Sequence, residues 1–364
     1  MRLSTTLSVY FGRQFFTWVG IVFLVFVATI FVFDLVELLR RGASKEMADV
    51  GTLMLMAFMK LPFMAQKAIP FAILIGGILC FSKLTSSHEL VVARAAGVSV
   101  WQFMLPALII AFLVGLVTIT VYNPLASAMV ARYEQLEATH LRKQASLLAI
   151  SSSGLWLRQA DASGESVIHA QRVTEPGTVL HDVIIFRFEG TDSFVGRIDA
   201  ASAKLEVGYW DLQDAVLTAP DRPAEFTDRY KLATDLTLSQ IQDSFASPET
   251  LSFWELPGFI KVLEKAGFSA VKHRIHWYAL LSAPLLFCAM VLIAGTFSLR
   301  LTRRGGTGLL IATGVLTGFV FYFLSDVVLA LGLSGKIPPA LAAWTPAGIC
   351  TLLGIGLLFH LEDG

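Results

Sequence analysis

Residues 83–97 read KLTSSHELVVARAAG and lie between two long apolar runs. Ser86 and Glu89 have the S-x-x-E spacing of a capping box. In such a box the serine oxygen accepts a backbone N–H and the carboxylate reaches back to the serine N–H. Gly97 supplies a stop, because glycine takes the left-handed conformation without a Cβ clash. The stretch is therefore expected to form a helix of about three turns between two membrane spans. A capped helix there, rather than a plain loop, fits a docking surface for something outside the membrane. The alternative is that Glu89 only caps its own helix.

Working outward, Leu61–Ser82 is long and apolar enough for a span. Pro62 and Pro70 are expected to kink it, and Gly76-Gly77 allows a close helix contact. Beyond Gly97, Ala95–Ala131 carries no charge, and a span fits inside it with Asn123-Pro124 at its outer end. Before it, Phe15–Phe33 is uncharged and long enough to cross a core of roughly 30 Å. That run ends in Asp34, Glu37, Arg40 and Arg41, and no small-residue cleavage pattern follows, so no removable signal is expected. Ile275–Leu299, Gly305–Ser325 and Ile337–Leu361 are three further uncharged runs.

Between the two sets of three runs the composition changes. Residues 132–274 are rich in charge, and several stretches alternate with period two. Ile184, Phe186 and Phe188 share one face of such a stretch, opposite Arg187 and Glu189. Leu205, Val207 and Tyr209 alternate with Lys204 and Glu206, and 154–158 and 165–169 read as further strands. Pro257–Ala266 reads as a short helix with Phe259 and Leu263 on one face and Gly267 at its end.

The expected fold is a polytopic α-helical membrane protein with six transmembrane helices and an all-β, jelly-roll-like domain inserted between helices 3 and 4. The expected divisions are 1–131, 132–272 and 273–364. At 55% hydrophobic and 15% charged residues, the chain of 364 is too apolar for an ordinary soluble domain. Cys80, Cys288 and Cys350 all lie in apolar runs without metal or disulfide spacing, and read as small hydrophobes.

Arg2 and Arg13 before the first span place the N-terminus in the cytoplasm. The cytoplasmic side then also holds Lys83, Arg94, Arg300, Arg303 and Arg304, both termini are cytoplasmic and the β domain is periplasmic. The outer side keeps its own base at Arg40, Arg41, Lys45, Lys60, Lys67 and Lys336, so charge favours this orientation only mildly. Outer base of this kind suits an anionic lipid, with the phenylalanines of the first span, among them Phe23, Phe26, Phe31 and Phe33, facing its acyl chains or simply facing the bilayer.

Motifs for catalysis are missing. There is no G-x-x-x-x-G-K-[ST], since Gly335-Lys336 is followed by Ile337, and no G-x-S-x-G. His88-Glu89 lacks the second histidine of H-E-x-x-H, and His276 and His360 stand at span ends. Asp326 lies in an apolar stretch, where a carboxylate is either functional or already hydrated at the outer interface. A chain without a nucleotide site but with a helix offered to the cytoplasm needs an energy-supplying partner.

The chain resembles the LptF/LptG permease family of lipopolysaccharide export over nearly its whole length. The resemblance rests on the six-span plan with its β insertion. It rests also on HELVVARAAG at 88–97, LLRRGA at 38–43, GLWLR at 154–158, FVFYFLSD at 319–326 and IPPALAAWTP at 337–346. It implies an inner-membrane transporter subunit that is not itself an enzyme and holds no cofactor. ATP and Mg are used by a dimer of an LptB-like ATPase. An LptF-like second permease encloses a lipid cavity with it, and an LptC-like single-span protein joins them. The 86–97 segment then becomes the coupling helix, with Ser86, His88, Glu89, Leu90, Arg94 and Gly97 at the ATPase. Arg40, Arg41 and Lys67, with Phe26, Phe33, Tyr322 and Asp326, fall on the substrate side, and Phe186 and Phe188 in the periplasmic conduit. The family can carry lysine where this chain has Asp34, which puts that contact in doubt. A mechanotransmission subunit would carry its outer domain after the first span, and a receptor would need a signalling domain beyond His360–Gly364.

Overall fold

The computed structural model describes residues 5–43, 49–95, 97–137, 148–151, 154–161, 164–174, 179–189, 193–220, 223–234, 236–237, 247–265, 269–300 and 307–362. It divides into two compact units, 1–141 with 274–364 and 142–273.

The first unit is helical. Its elements are α1 (Thr5–Ala43), α2 (Val50–Ser86), α3 (Glu89–Ala95), α4 (Val100–Val117) and α5 (Asn123–Glu137). α6 (Leu256–Lys265) belongs to the second unit, and α7 (Val271–Arg300), α8 (Thr307–Leu333) and α9 (Pro339–Glu362) complete the bundle. Among the described residues six helices are long and apolar enough to cross a membrane, as expected. Several overrun their spans. α1 has 39 residues, so it extends roughly 58 Å, well past a bilayer core.

Asn123-Pro124 does not end the helix. The chain passes through a π turn, Thr118–Tyr122, and continues as α5. Pro124 lacks an N–H and its ring would strike the carbonyl one turn back, so the backbone widens instead of stopping. Thr118 and Thr120 bond their hydroxyls to Val114 and Leu116 carbonyls in the same place. The division expected after 131 therefore falls inside α5.

Glycines let the helices meet. A Cβ on Gly115 of α4 would lie 2.5 Å from the Pro284 Cα of α7, so only glycine permits that crossing. Gly76 and Gly77 of α2 do the same against Val19 and Ala294, which bears out the close contact read from that pair. Ser298 Oγ donates to the Ile78 carbonyl and Ser282 Oγ to the Ala343 carbonyl, tying α7 to α2 and α9. The span windows of α2 and α7 are each 67% buried, against 6% for α1 and 11% for α8. α2 and α7 are thus the bundle's centre, and α1 and α8 its uncovered rim.

Besides α6, the second unit holds, among its described residues, an antiparallel sheet of seven strands, paired in chain order. They are β1 (Leu148–Ser151), β2 (Gly154–Asp161), β3 (Gly164–Thr174), β4 (Val179–Glu189), β5 (Ser193–Glu206), β6 (Tyr209–Thr218) and β7 (Glu225–Ala233). The all-β reading holds, with a meander in place of crossed Greek keys. Val207 is not a strand position. It stands with Gly208, at φ +84°, in the turn between β5 and β6, and is 98% exposed.

Distances within the sheet show that it folds over. β2 and β6 are four pairings apart, roughly 19 Å in a flat sheet. Yet Gln159 of β2 accepts from Trp210 Nε1 of β6 at 3.2 Å and from Thr234 Oγ1 at 2.7 Å. Its amide donates to the Ala233 carbonyl at 3.1 Å. One face is therefore turned inward, carrying Leu157, Ile168, Ile185, Ile198, Trp210 and Leu212. Gln159→Leu is expected to loosen this closure. It keeps the bulk but orphans the indole N–H and the Ala233 carbonyl, at about 1–3 kcal/mol for each buried group. Trp210 emission should shift to the red and the sheet should become protease-sensitive, and an unchanged melting point would contradict this.

α6 packs beside β1 and buries Leu256, Ile260 and Leu263, with the Phe259 ring 5.1 Å from that of His273. Gly267 lies outside the described residues. A reciprocal box precedes the helix. Ser252 N–H and Oγ donate to Glu255 Oε2 at 2.9 and 2.7 Å, and Glu255 N–H returns to Ser252 Oγ at 3.3 Å. The Ser252 hydroxyl and N–H hold the Glu255 carboxyl below the usual range. Its folded pKa is depressed, so its contribution is present above the unfolded pKa and is lost as pH falls through the folded one. Glu255→Gln should lower stability near neutrality and converge with the parent on acidification below about pH 4 in thermal unfolding.

Candidate functional site

Two ends of the helical unit carry the residues singled out from the sequence. At one end α2 runs through Ser86, and Ser87-His88 turn the chain into α3. Ser86 is not the cap expected. Its hydroxyl donates to the Lys83 carbonyl, because Ser86 still belongs to the last turn of α2. Ser87 Oγ instead donates to Glu89 Oε1 at 2.8 Å. His88 takes a left-handed φ of 60°, which makes the sharp junction between the helices. α3 has seven residues, about two turns rather than three.

Gly97 does act as the stop. Its φ is +83°, and Val98 N–H reaches back to the Ala93 carbonyl at 3.1 Å, the bond that closes a Schellman turn. Leu90 is 2% exposed and joins the bundle core with Phe11, Phe81 and Leu84. Glu89 is half-buried, close to the Tyr10 side chain of α1. α3 buries Leu90 and Ala93 against the bundle, while His88 and Val92 are exposed. The Arg94 side chain and the connection carrying Arg303 and Arg304 lie outside the described residues.

At the other end of α1, one carboxylate serves both arginines. Arg40 Nε and Nη2 donate to Glu37 at 2.9 and 3.0 Å, and Arg41 Nε donates to Glu37 Oε1 at 2.7 Å. Intrahelical pairing with Glu37 therefore accounts for both arginines. At positions three and four beyond Glu37, both reach the same side of the helix. The two side chains remain 75% and 54% exposed.

Lys60 is not outer base available to a ligand. It pairs with Asp34 at 2.5 Å, and its Nζ lies 5.4 Å from the Tyr133 ring centre. This pair joins α1 to α2 above a small cluster containing Leu38, Met56 and Val130. Lys45 lies outside the described residues. Lys67 is exposed, 4.4 Å above the Phe63 ring.

The phenylalanines of α1 separate into two sets. Phe23 and Phe31 pack against the chain's own clusters. Phe26 is half-buried, and Phe33 is 72% exposed. Tyr322 and Asp326, one turn apart on α8, are exposed.

Phe186 and Phe188 are not inward-facing. Their strand buries Val183 and Ile185, so the aromatic stripe is on the outer face. There Phe186 lies 5.9 Å from the Arg197 guanidinium, and Phe188 meets Phe194 with ring centres 6.0 Å apart. Alternation identifies the two faces but not which is covered, and here the β-branched stripe won. Gln159 went unnoticed in the sequence. Its signal is a polar residue in the stripe Leu155, Leu157, Gln159, and the sheet closes on it.

The chain matches the family described as lipopolysaccharide export system permease LptF/LptG over residues 9–360. It is 25% identical over 370 residues to the lipopolysaccharide export system permease protein LptG of Escherichia coli K12, covering 99% of each chain. It is 22% identical over 375 residues to the LptG of Haemophilus influenzae, covering 99% of this chain and all of that one. With six helices long and apolar enough to cross a membrane among the described residues, an inserted antiparallel sheet and a family match over nearly the whole chain, the chain belongs to the LptF/LptG family of lipopolysaccharide export permeases.

Proposed function

We propose that this chain is the transmembrane subunit of an ATP-driven exporter. It draws lipopolysaccharide from the inner membrane and hands it to a periplasmic bridge toward the outer membrane. The observation that carries this reading is the folded sheet. An inward apolar face running across β2–β6 suits acyl chains that must leave a bilayer and cross water.

ATP hydrolysis belongs to a separate LptB-like ATPase dimer that uses Mg-ATP, since the sequence has no phosphate-binding loop. α3 is the element offered to that dimer, with Glu89 at the contact. In this orientation both termini are cytoplasmic and the sheet is periplasmic. The uncovered faces of α1 and α8 support an LptF-like second permease across a lipid-sized cavity, and an LptC-like single span beside them. Arg40 and Arg41 meet the phosphates of the substrate, and Phe33 and Phe26 its acyl chains.

Purification of the tagged protein from membranes tests this. An ATPase and a second six-span protein should accompany it in fixed ratio, and lipopolysaccharide should raise ATP hydrolysis by the mixture. Recovery of the chain alone, with no associated hydrolysis, would contradict the reading.

A further inference from the structure

α1 and α4 touch near the end of α1 where Tyr10 stands close to Glu89 of α3. The Phe11 and Phe103 rings meet edge to face there, with centres 6.4 Å apart. A Cβ on Gly12 would lie 3.0 Å from Ile110 Cδ1 and 3.7 Å from Pro106 Cβ. Gly12 has no side chain to fill the space beside that contact, and a groove of about 470 Å³ opens between the two helices. Gly12, Pro106 and Ile110 form its floor, and Phe16, Leu105 and Ile109 its exposed walls. Both helices are membrane spans, and the span window of α1 is only 6% buried, so the groove opens on hydrocarbon.

Two polar side chains also line the groove, Ser8 and Arg13. Arg13 is exposed, and among the described residues its guanidinium closes no hydrogen bond or ion pair. Neither wall supplies it with an acid. The first carboxylate of α1 is Asp34, and α4 carries no charge. Glu89, close to Tyr10, accepts from Ser87 Oγ at 2.8 Å. Arg13 is the last charge before the uncharged run Phe15–Phe33, which sets it at head-group level, with Phe16 almost a turn deeper.

A cation at head-group level above an apolar track fits a phospholipid, with its phosphate at Arg13 and one acyl chain along Gly12, Phe16 and Ile109. Arginine suits phosphate because its planar fork donates two parallel N–H bonds. The lining has no carboxylate to receive an ammonium. An ethanolamine or choline head would therefore bring its own cation beside Arg13 with nothing to meet it. A glycerol head brings only the phosphate charge, and its hydroxyls can bond that of Ser8. We propose that the α1–α4 groove holds one phosphatidylglycerol as a resident lipid of the permease, with Arg13 on its phosphate. Arg13 and Arg40 stand roughly 40 Å apart along one helix, so this lipid is distinct from the exported one. In the orientation proposed above it belongs to the cytoplasmic leaflet.

The test uses the purified protein with its accompanying subunits, delipidated and returned to nanodiscs without ATP. The discs hold equal parts of phosphatidylglycerol, phosphatidylethanolamine and phosphatidylcholine, and tightly bound lipid is measured by native mass spectrometry. Phosphatidylglycerol should be retained about five-fold over either competitor, the scale of one basic residue acting on an anionic lipid. Arg13→Gln should erase the preference, and Arg13→Lys should keep most of it, which separates recognition from misfolding. Ile109→Trp fills the groove from an exposed wall and should lower retention of all three. Lys336→Ala, outside the groove, should change nothing. Equal retention of the three lipids would overturn the proposal, as would a preference that survives Arg13→Gln. Retention by the chain alone but not by the complex would overturn it too, because a partner subunit would then cover the groove. So would displacement by equimolar lipopolysaccharide, which would give the site to the cargo. Neither ATP hydrolysis nor export enters the lipid ratio, so this reading and the proposed function fail separately.

Discussion

Replacing Arg40 and Arg41 together by alanine is expected to abolish lipopolysaccharide binding while leaving the assembled complex intact. Adjacent guanidinium groups suit phosphate because each donates two parallel hydrogen bonds. Glu37 already occupies part of both forks, but an ion pair this exposed contributes little and a phosphate can displace it. Arg→Lys at either position keeps the charge and loses the fork, so a mild defect is expected. Each single Arg→Ala should be worse, and the double variant should lose at least about a hundred-fold in capture. Glu37→Gln provides the opposite sign, since it releases both arginines and should raise capture. The measurement is lipopolysaccharide co-purification beside complex yield. Parallel loss of assembly and binding, or no loss of binding, would make the pair structural. Geometry favours separate outcomes. Tyr10, which approaches Glu89, and Arg40 stand on one continuous helix roughly 45 Å apart.

Glu89→Gln is expected to uncouple transport from ATP hydrolysis in a protein that still inserts and assembles. Within the chain the carboxylate accepts from Ser87 Oγ at 2.8 Å, and glutamine can accept that bond equally well. If Glu89 only secures α3 to the bundle, the substitution should be nearly silent. If it also meets a basic residue of the ATPase, the charge matters. A hydrogen bond to a charged group contributes about 1.5–3 kcal/mol, and leaving the partner's charge buried and alone costs more. The expected signature is ATP hydrolysis that no longer responds to lipopolysaccharide, with growth impaired. Wild-type growth and stimulation would rule out the docking role.

The six spans were legible because uncharged runs of bilayer length have few other uses. The details that failed all turn on what lies beside a motif. Ser86–Glu89 has the spacing of a capping box, but Ser86 is still paired inside the previous helix and has no orphan N–H to exchange. Ser252–Glu255 and Ser99–Gln102 have the same spacing, follow non-helical residues, and do form boxes. Asn123-Pro124 reads as a stop, yet a π turn carries the helix through it. In β4 both stripes are apolar enough to be buried, so the choice between Ile185 and Phe186 needed the strands on either side. The pairing of Lys60 with Asp34 joins residues 26 apart, a distance no local pattern reports.

The central claim is that lipopolysaccharide travels along the inner face of the folded sheet under the drive of ATP. Its most direct test is a photo-crosslinker at Leu205, which pairs with the buried Trp210 and so lies on the inner face, half-buried. The control is the same group at Phe186, on the outer face beside Arg197. In the reconstituted complex, Leu205 should capture lipopolysaccharide only when ATP is hydrolysed, and Phe186 should capture none. Capture at Phe186 equal to that at Leu205, or capture at Leu205 without ATP, would contradict the account.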